Sequence, residues 1–402
     1  MAIEKITDFE KCCGCGVCAA LCPKQCITME PGAEGFLYPH VGADCIECGL
    51  CQKNCPVNKD VDDAESYPRR VFACRNLDRD VLFQSSSGGF FFEIAREVIA
   101  CGGVVFGVVF YAGNRVVHAK AETLEALRAM MGSKYVQSDK RGVWPEVKAA
   151  LQTGRKVLFS GTPCEIGALR AFLRKDYDNL LCTDFICMGT PSPAVFARHL
   201  HDLEQRFGAP AASISFRNKK YGAYTHSLSI TFANGKSYFR PQYAEPYVKS
   251  FHSRIYLRPS CHHCSYKQAF RLSDITMADF WGLTSTDIPL TMAGGVSMVI
   301  VHSAKGMKYF DKVKGRFTCY ETDMATARRV QPMLTTSCAP SPVREAFFRD
   351  FRERPDAPFS GLIGRYEPIP LRDRLRARLK TLTGLRRLVQ GLKRRFPALR
   401  HM

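Results

Sequence analysis

The pattern of apolar and polar positions divides this chain near residue 70. From Val71 onward, strand and helix signals alternate. Residues 90–100 repeat their apolar positions at helical spacing, and 104–110 is a short β-rich run. Residues 145–151 read as a helix with a proline suited to its first turn, 156–159 as a strand, 165–175 as a helix and 180–187 as a buried strand. That succession predicts an α/β core. Further strands are expected at 213–216, 227–232, 275–280 and 297–302, where the pattern is more mixed. Residues 60–70 (DVDDAESYPRR) are polar and mostly acidic, so 59–70 reads as a linker. Beyond residue 367, Leu371, Leu375, Leu379, Leu382, Leu385, Leu388 and Leu392 recur every three or four positions with arginines between them. This predicts a basic amphipathic helix interrupted near Gly384 and Gly391.

Bulk composition adds limits. A chain of 402 residues, 46% hydrophobic and 24% charged, can bury a full core and suits two domains with extensions. The most apolar stretch, 98–112, is too short and glycine-rich for a bilayer span, and nothing at the N-terminus reads as a targeting peptide. The formal charge of +19 is unevenly placed: residues 371–402 hold eleven Lys/Arg against Asp373. Overall basicity is therefore weak support for nucleic-acid binding, and no specific nucleic acid is expected. Nineteen cysteines point to a reducing compartment and metal ligation, with the cytoplasm as the expected location.

The cysteines change the picture most. Cys12, Cys15, Cys18 and Cys22 precede Pro23, and Cys45, Cys48, Cys51 and Cys55 precede Pro56. Both runs read C-x2-C-x2-C-x3-C-P, the bacterial two-cluster ferredoxin spacing, in which the fourth cysteine ligates the other cluster. Cys12, Cys15, Cys18 and Cys55 are thus assigned to one [4Fe–4S] cluster, and Cys45, Cys48, Cys51 and Cys22 to a second. Zinc favours isolated C-x2-C pairs over triplets. The two runs begin 33 residues apart, so residues 1–58 form a repeated module whose chemistry is single-electron transfer.

Other groups are less specific. Cys164 follows the turn Ser160–Pro163, Cys187 follows a strand, and Cys261 and Cys264 form a C-x2-C pair. Four such thiolates suit a third cluster; two unrelated buried thiols plus a redox or zinc pair suit the spacing equally. Ser87, Gly88 and Gly89 precede a helix start, where free N–H groups make a phosphate seat or simply an ordinary cap. Ser133, Lys134 and Tyr135 form a second polar loop. Arg217, Lys219, Lys220 and Tyr221 read as an anion site or a solvated turn. Cys13, Cys26, Cys74, Cys101, Cys182, Cys319 and Cys338 read as buried fillers, and His118, His262 and His263 as structural. No Walker A or G-x-G-x-x-G sequence is present.

The segments SSSGGFFFEIA, GSKYVQSD, VLFSGTPCEIGALRAFL, DFICMGTPSP, CHHCSYK and RLSDITMADFWG, in this order, resemble the family of coenzyme F-420 hydrogenase/dehydrogenase β subunits, in its form fused to a ferredoxin domain. The resemblance spans roughly residues 70–345. It implies a mixed α/β flavin- and Fe–S-binding core at 71–345, after the ferredoxin module, with 346–402 as an extension. It also implies a third [4Fe–4S] cluster on Cys164, Cys187, Cys261 and Cys264, and FAD near Ser87, Gly88, Gly89, Ser133, Lys134 and Tyr135, with the Asp279–Gly282 turn lining the same cavity. The family's deazaflavin-reducing member has an aspartate-containing turn where this chain has Ser86-Ser87, so specific deazaflavin recognition is not carried over.

Together these features predict an oxidoreductase that takes electrons from reduced ferredoxin or another one-electron donor, through the clusters to FAD, and on to a small organic substrate or a deazaflavin-type coenzyme. One alternative is an electron-transfer subunit whose catalytic site lies on a partner chain. Another is a binding role for residues 371–402 at an anionic membrane surface or nucleic acid. No catalytic residue is assigned.

Overall fold

The structure, a computed structural model, describes residues 8–58, 67–220, 222 and 226–381. Most of the expected linker, Tyr221 and the tail beyond Thr381 lie outside the described residues.

The first 58 residues contain α1 (Val17–Leu21), a hairpin of β1 (Ile27–Pro31) and β2 (Leu37–Val41), and α2 (Leu50–Lys53). The 33-residue repeat is visible in the backbone. Gly16 and Gly49 cap α1 and α2 with φ of 75° and 70°. One position before the second cysteine of each run, Gly14 and Glu47 are also left-handed, with φ of 66° and 53°. A glycine adopts that geometry freely, whereas Glu47 adopts it against the steric preference of a side chain.

The core follows as β3 (Arg70–Asn76), α3 (Arg79–Gln84), α4 (Phe90–Ala100), β4 (Val104–Tyr111), β5 (Arg115–Ala121), α5 (Leu124–Met130), α6 (Val143–Gln152), β6 (Val157–Ser160), α7 (Pro163–Leu173), β7 (Leu180–Phe185) and α8 (Pro193–Phe207). Then come β8 (Ala211–Asn218), β9 (Ser227–Phe232), β10 (Ser237–Pro241), α9 (Pro246–His252), β11 (Ile275–Asp279), β12 (Ser297–Val301), α10 (Ala304–Lys314), β13 (Phe317–Thr322) and α11 (Met324–Val330). The described chain closes with α12 (Arg344–Glu353), α13 (Phe359–Ile363) and α14 (Leu371–Thr381).

Eight strands form one mixed sheet in the order β13-β3-β12-β11-β7-β6-β4-β5. Its centre, β11-β7-β6-β4, is parallel and its flanks are antiparallel. The parallel strands are apolar on both faces, as burial between helix layers requires. A separate three-stranded antiparallel sheet, β10-β9-β8, packs with α8, α9, α12 and α13 around Phe196, Tyr247, Tyr256 and Phe347.

Two expected boundaries are not packing boundaries. Phe347, Phe348, Phe351, Phe359 and Leu362 sit in the same core as Phe196 and Leu228, so the segment after 345 begins as core and not as an appended extension. The N-terminal segment is also built in. Cys15 and Val17 share a core with Trp144 and Phe159. The Trp144 indole donates to the Cys15 carbonyl at 2.9 Å, and Gln137 donates to that of Cys13 at 3.0 Å. Arg344 makes a two-pronged pair with Glu34.

Candidate functional site

Two recesses open in the N-terminal segment. Cys12, Cys15, Cys18 and Cys55 line the inner one, about 320 Å³ in volume. Cys22, Cys45, Cys48 and Cys51 line the outer one, about 340 Å³. Each recess therefore takes three cysteines from one run and the last cysteine from the other. Hydrogen-bonded turns such as Cys22–Gln25 and Cys55–Asn58 fold each fourth cysteine back toward the opposite half. The recesses differ in exposure. All four inner cysteines are buried, whereas Cys48 is exposed and its neighbour Ile46 is 58% exposed. Each recess gathers the four thiols whose spacing suits an iron–sulfur cube, with Cys13 beside the inner set and Cys26 beside the outer one. Among the described residues, no three Cys, His, Asp or Glu converge as ligands of a single ion.

A second group of thiols lies at the carboxyl ends of the parallel strands. β6 leads into Cys164, the second residue of α7, and β7 leads into Cys187. This is the edge at which open parallel sheets place their ligands. Thr162 and Glu165 form a reciprocal capping box that fixes the start of α7 beneath Cys164. Cys261 and Cys264 arrive on the loop after Arg258, and the Thr190 N–H donates to the Cys261 sulfur at 3.3 Å. Burial pushes the Cys187 thiol up, and Cys261, Cys164 and Cys264 push it further, so the four sulfurs share one locale. Burial and Cys164 likewise raise Cys261 to about 12. Lys267 adds local positive charge: its amine donates to the Cys187 carbonyl and, at 2.6 Å, to that of Met333.

Cys13 joins the two regions. Its thiol interacts electrostatically with Cys15, Cys12 and Cys164. Tyr266 fills the adjoining space. It interacts electrostatically with Cys13, Cys164, Cys15 and Cys264, and its hydroxyl donates to the Pro56 carbonyl at 3.3 Å. Sequence reasoning treats Cys13 as a filler and passes over Tyr266. The only available signal was the adjacency of Cys13 to Cys12.

The two polar loops expected near a flavin also meet. The Ser133 N–H donates to the Ser86 hydroxyl at 2.6 Å, and the two hydroxyls lie 2.9 Å apart. Ser87 donates to the Val296 carbonyl at 2.9 Å, and the Gly88 N–H donates to the Ser297 hydroxyl at 2.9 Å. A Cβ on Gly88 would lie 2.2 Å from the Cys74 carbonyl, so close strand packing alone accounts for that glycine. Gly89 caps α4 with φ of 88°. The Lys134 amine closes the end of α5 on the Ala129 and Met131 carbonyls, both at 2.9 Å. Tyr135 stacks on Phe251, and its hydroxyl accepts from Arg217 at 3.3 Å.

Arg217 and Lys219 are buried rather than solvated. Arg217 forks onto both Asp279 oxygens at 2.8 and 2.9 Å and donates to the Ser86 carbonyl. The Lys219 amine is bound by the carbonyls of Leu82, Ser87 and Gly294. Burial pushes Lys219 down to about 7, with Arg217 adding to the shift. Gly88, Lys134 and Lys219 thus spend donors on the protein itself. Ser86, Ser133, Tyr135, Arg217 and Asp279 form one continuous polar edge.

Of the isolated histidines, His118 belongs to a buried network. Its ring bonds the Ser138 hydroxyl at 2.9 Å, while Ser138 and Lys140 donate to Glu165. His262 bonds the Cys338 carbonyl. No helix among the described residues is long and apolar enough to cross a membrane.

Comparison with known proteins defines the class first. A family model described as the C terminus of the coenzyme F420 hydrogenase/dehydrogenase beta subunit matches residues 154–325, the stretch that holds Cys164, Cys187, Cys261 and Cys264. An F(420)H(2) dehydrogenase component from Methanosarcina mazei is 23% identical over 337 residues, covering 79% of this chain and 87% of that protein. An uncharacterized ferredoxin of Methanocaldococcus jannaschii is 40% identical over 58 residues, which is 14% of this chain and 75% of that protein. The structure of the F420-reducing [NiFe] hydrogenase complex from Methanosarcina barkeri matches with a TM-score of 0.44 and 16% identity, over 66% of this chain and 88% of that one. The family model and the Methanosarcina mazei relative place the chain among oxidoreductases with a role in redox electron transfer. Residues 154–325 thus match the family of coenzyme F420 hydrogenase/dehydrogenase beta subunits, and the chain carries a ferredoxin-like region.

Proposed function

We propose that this protein is an iron–sulfur flavoprotein that receives single electrons at its N-terminal segment and delivers them in pairs to a small organic substrate or a deazaflavin-type coenzyme. In this reading Cys45, Cys48, Cys51 and Cys22 hold an outer [4Fe–4S] cluster, Cys12, Cys15, Cys18 and Cys55 an inner one, and Cys164, Cys187, Cys261 and Cys264 a third. FAD lies along the edge formed by Ser86, Ser133, Tyr135 and Arg217, with Ser87, Gly88, Gly89 and Lys134 shaping the loops. The clusters supply one-electron transfer, and the flavin supplies the junction between one- and two-electron chemistry.

The observation that carries this reading is continuity. Exposed Cys48 and Ile46 offer a face to a donor such as reduced ferredoxin. Buried thiols then extend inward, and Cys13 and Tyr266 close the space between the inner quartet and the sheet-borne one. The remaining protein groups exclude water and fix ligand positions. Arg217, held by Asp279 in a net-neutral ion pair, keeps its N–H donors at the polar edge. An exposed inner quartet, or a gap without packed residues, would not serve such a role.

A second reading is favoured by the Methanosarcina mazei relative, which is one component of a dehydrogenase. In it this chain passes electrons to a partner that holds the substrate. The two separate on one assay. Isolated, photoreduced protein is mixed with candidate acceptors, and flavin reoxidation is followed by absorbance. Reoxidation by a small acceptor alone supports the first reading, and reoxidation only on adding a partner chain supports the second.

A further inference from the structure

Arg258 is 1% exposed and sits between the inner recess and the loop that carries Cys261. Its guanidinium donates to the Cys12 carbonyl at 2.6 Å, the Leu37 carbonyl at 2.9 Å and the Gln137 side chain at 3.0 Å. A fourth contact, at 3.7 Å, is to the Cys12 sulfur. The Tyr38 ring lies beneath it, 4.3 Å from ring centre to guanidinium carbon. Every oxygen partner is neutral. Glu34, which Tyr38 also faces, is taken by Arg344. Among the described residues no carboxylate pairs with Arg258. A buried guanidinium without an anion is costly, and proteins avoid it by pairing. The one anionic group this geometry offers is the thiolate quartet beside it.

The two half-modules differ at this very place. Gly14 abuts Arg258, and a Cβ there would meet its Nη1 at 2.6 Å. Offset by the 33-residue repeat, the equivalent residue beside the outer recess is Glu47, an acid. The inner recess therefore faces a buried cation, whereas the outer one is edged by two exposed side chains of opposite charge, Lys24 and Glu47.

We propose that Arg258 is the counter-charge of the inner cluster and raises its reduction potential above that of the outer one, biasing electrons inward. This rests on the cluster assignment made above. A [4Fe–4S] group bound by four thiolates carries net negative charge that grows by one on reduction. Burial in low dielectric opposes that step, while a fixed cation hydrogen-bonded at a ligand sulfur favours it. Lysine keeps the charge; glutamine keeps only hydrogen bonding.

The test compares wild type, Arg258→Lys and Arg258→Gln as anaerobically purified full-length protein, by iron content and by redox titration monitored with electron paramagnetic resonance. The inner signal is identified as the ferredoxin-type signal that survives Cys48→Ser. Arg258→Gln is expected to shift the inner signal negative by at least tenfold in the reduction equilibrium, about 59 mV for a one-electron couple. Arg258→Lys should retain most of the wild-type value, and the outer signal should stay put. Loss of four irons in the glutamine variant alone would also support a charge role. Unchanged potentials at full iron content, or equal effects of both substitutions, would overturn it. Wild-type protein without iron in this segment would instead overturn the underlying assignment.

Discussion

Gly167→Ala isolates the packing that joins the inner quartet to the sheet-borne one. Gly167 is buried in the middle of α7, and a Cβ there would lie 2.2 Å from the Tyr266 hydroxyl oxygen and 2.5 Å from its Cζ. Tyr266 is itself buried and anchored to the Pro56 carbonyl, so it cannot yield without losing that bond. Overpacking costs about 1–3 kcal/mol, and the lost hydrogen bond adds about 1 kcal/mol. Replacing glycine by alanine in a helix returns about 1 kcal/mol. The clash wins, and the expected result is a loss of about 2 kcal/mol. In a Tyr266→Ala background the clash is gone and only the helix gain remains. There Gly167→Ala should stabilise by about 1 kcal/mol, although Tyr266→Ala itself costs about 3–5 kcal/mol. Urea unfolding of all four proteins, under identical anaerobic conditions and at matched iron content, closes the cycle. A Gly167→Ala variant that is neutral in the wild-type background, or equally destabilising in both, refutes the packing described between α7 and Tyr266.

Three further outcomes are expected. Cys164→Ser should lower iron by four atoms per chain while both ferredoxin-type signals persist, as read by iron analysis and electron paramagnetic resonance. Asp279→Asn leaves the buried Arg217 without its carboxylate and should cost about 3–5 kcal/mol in chemical denaturation; Asp279→Glu should recover part of the loss. Asp184 is raised by burial from 3.8 to about 6, and one of its oxygens is buried without a hydrogen-bond partner among the described residues. A carboxyl raised on folding contributes stability below its unfolded value that is lost as pH climbs through about 6. Asp184→Asn should therefore gain on wild type as pH rises, by about 3 kcal/mol across the whole window and roughly half of that between pH 5 and pH 8. A constant difference between the two proteins from pH 5 to pH 8 would contradict that.

Much of the sheet is legible because its strands are continuous apolar runs. The expected 227–232 is β9, and the helix expected at 90–100 is α4. The strand expected at 180–187 ends two residues sooner, because Ile186 and Cys187 are apolar but already turn into the loop. The C-terminal aromatic helices read as an extension because α12 spaces its phenylalanines among arginines, and only the distant Tyr256 and Phe196 reveal that face as core. Ligand spacing within each cysteine run is local, so the two N-terminal quartets can be written from sequence. The sheet-borne quartet draws on three loops separated by up to a hundred residues, which is why resemblance and not spacing singles it out. Arg258, Tyr266 and Gln137 leave no sequence signal, since their contacts depend on docking the N-terminal segment against α7 and the loop that carries Arg258 and Cys261.

The central claim, three thiolate quartets and a flavin on one chain, stands on one determination: iron, sulfide and flavin per polypeptide after anaerobic purification of the full-length protein. The account predicts twelve irons, twelve sulfides and one FAD. Eight irons with no flavin would contradict it.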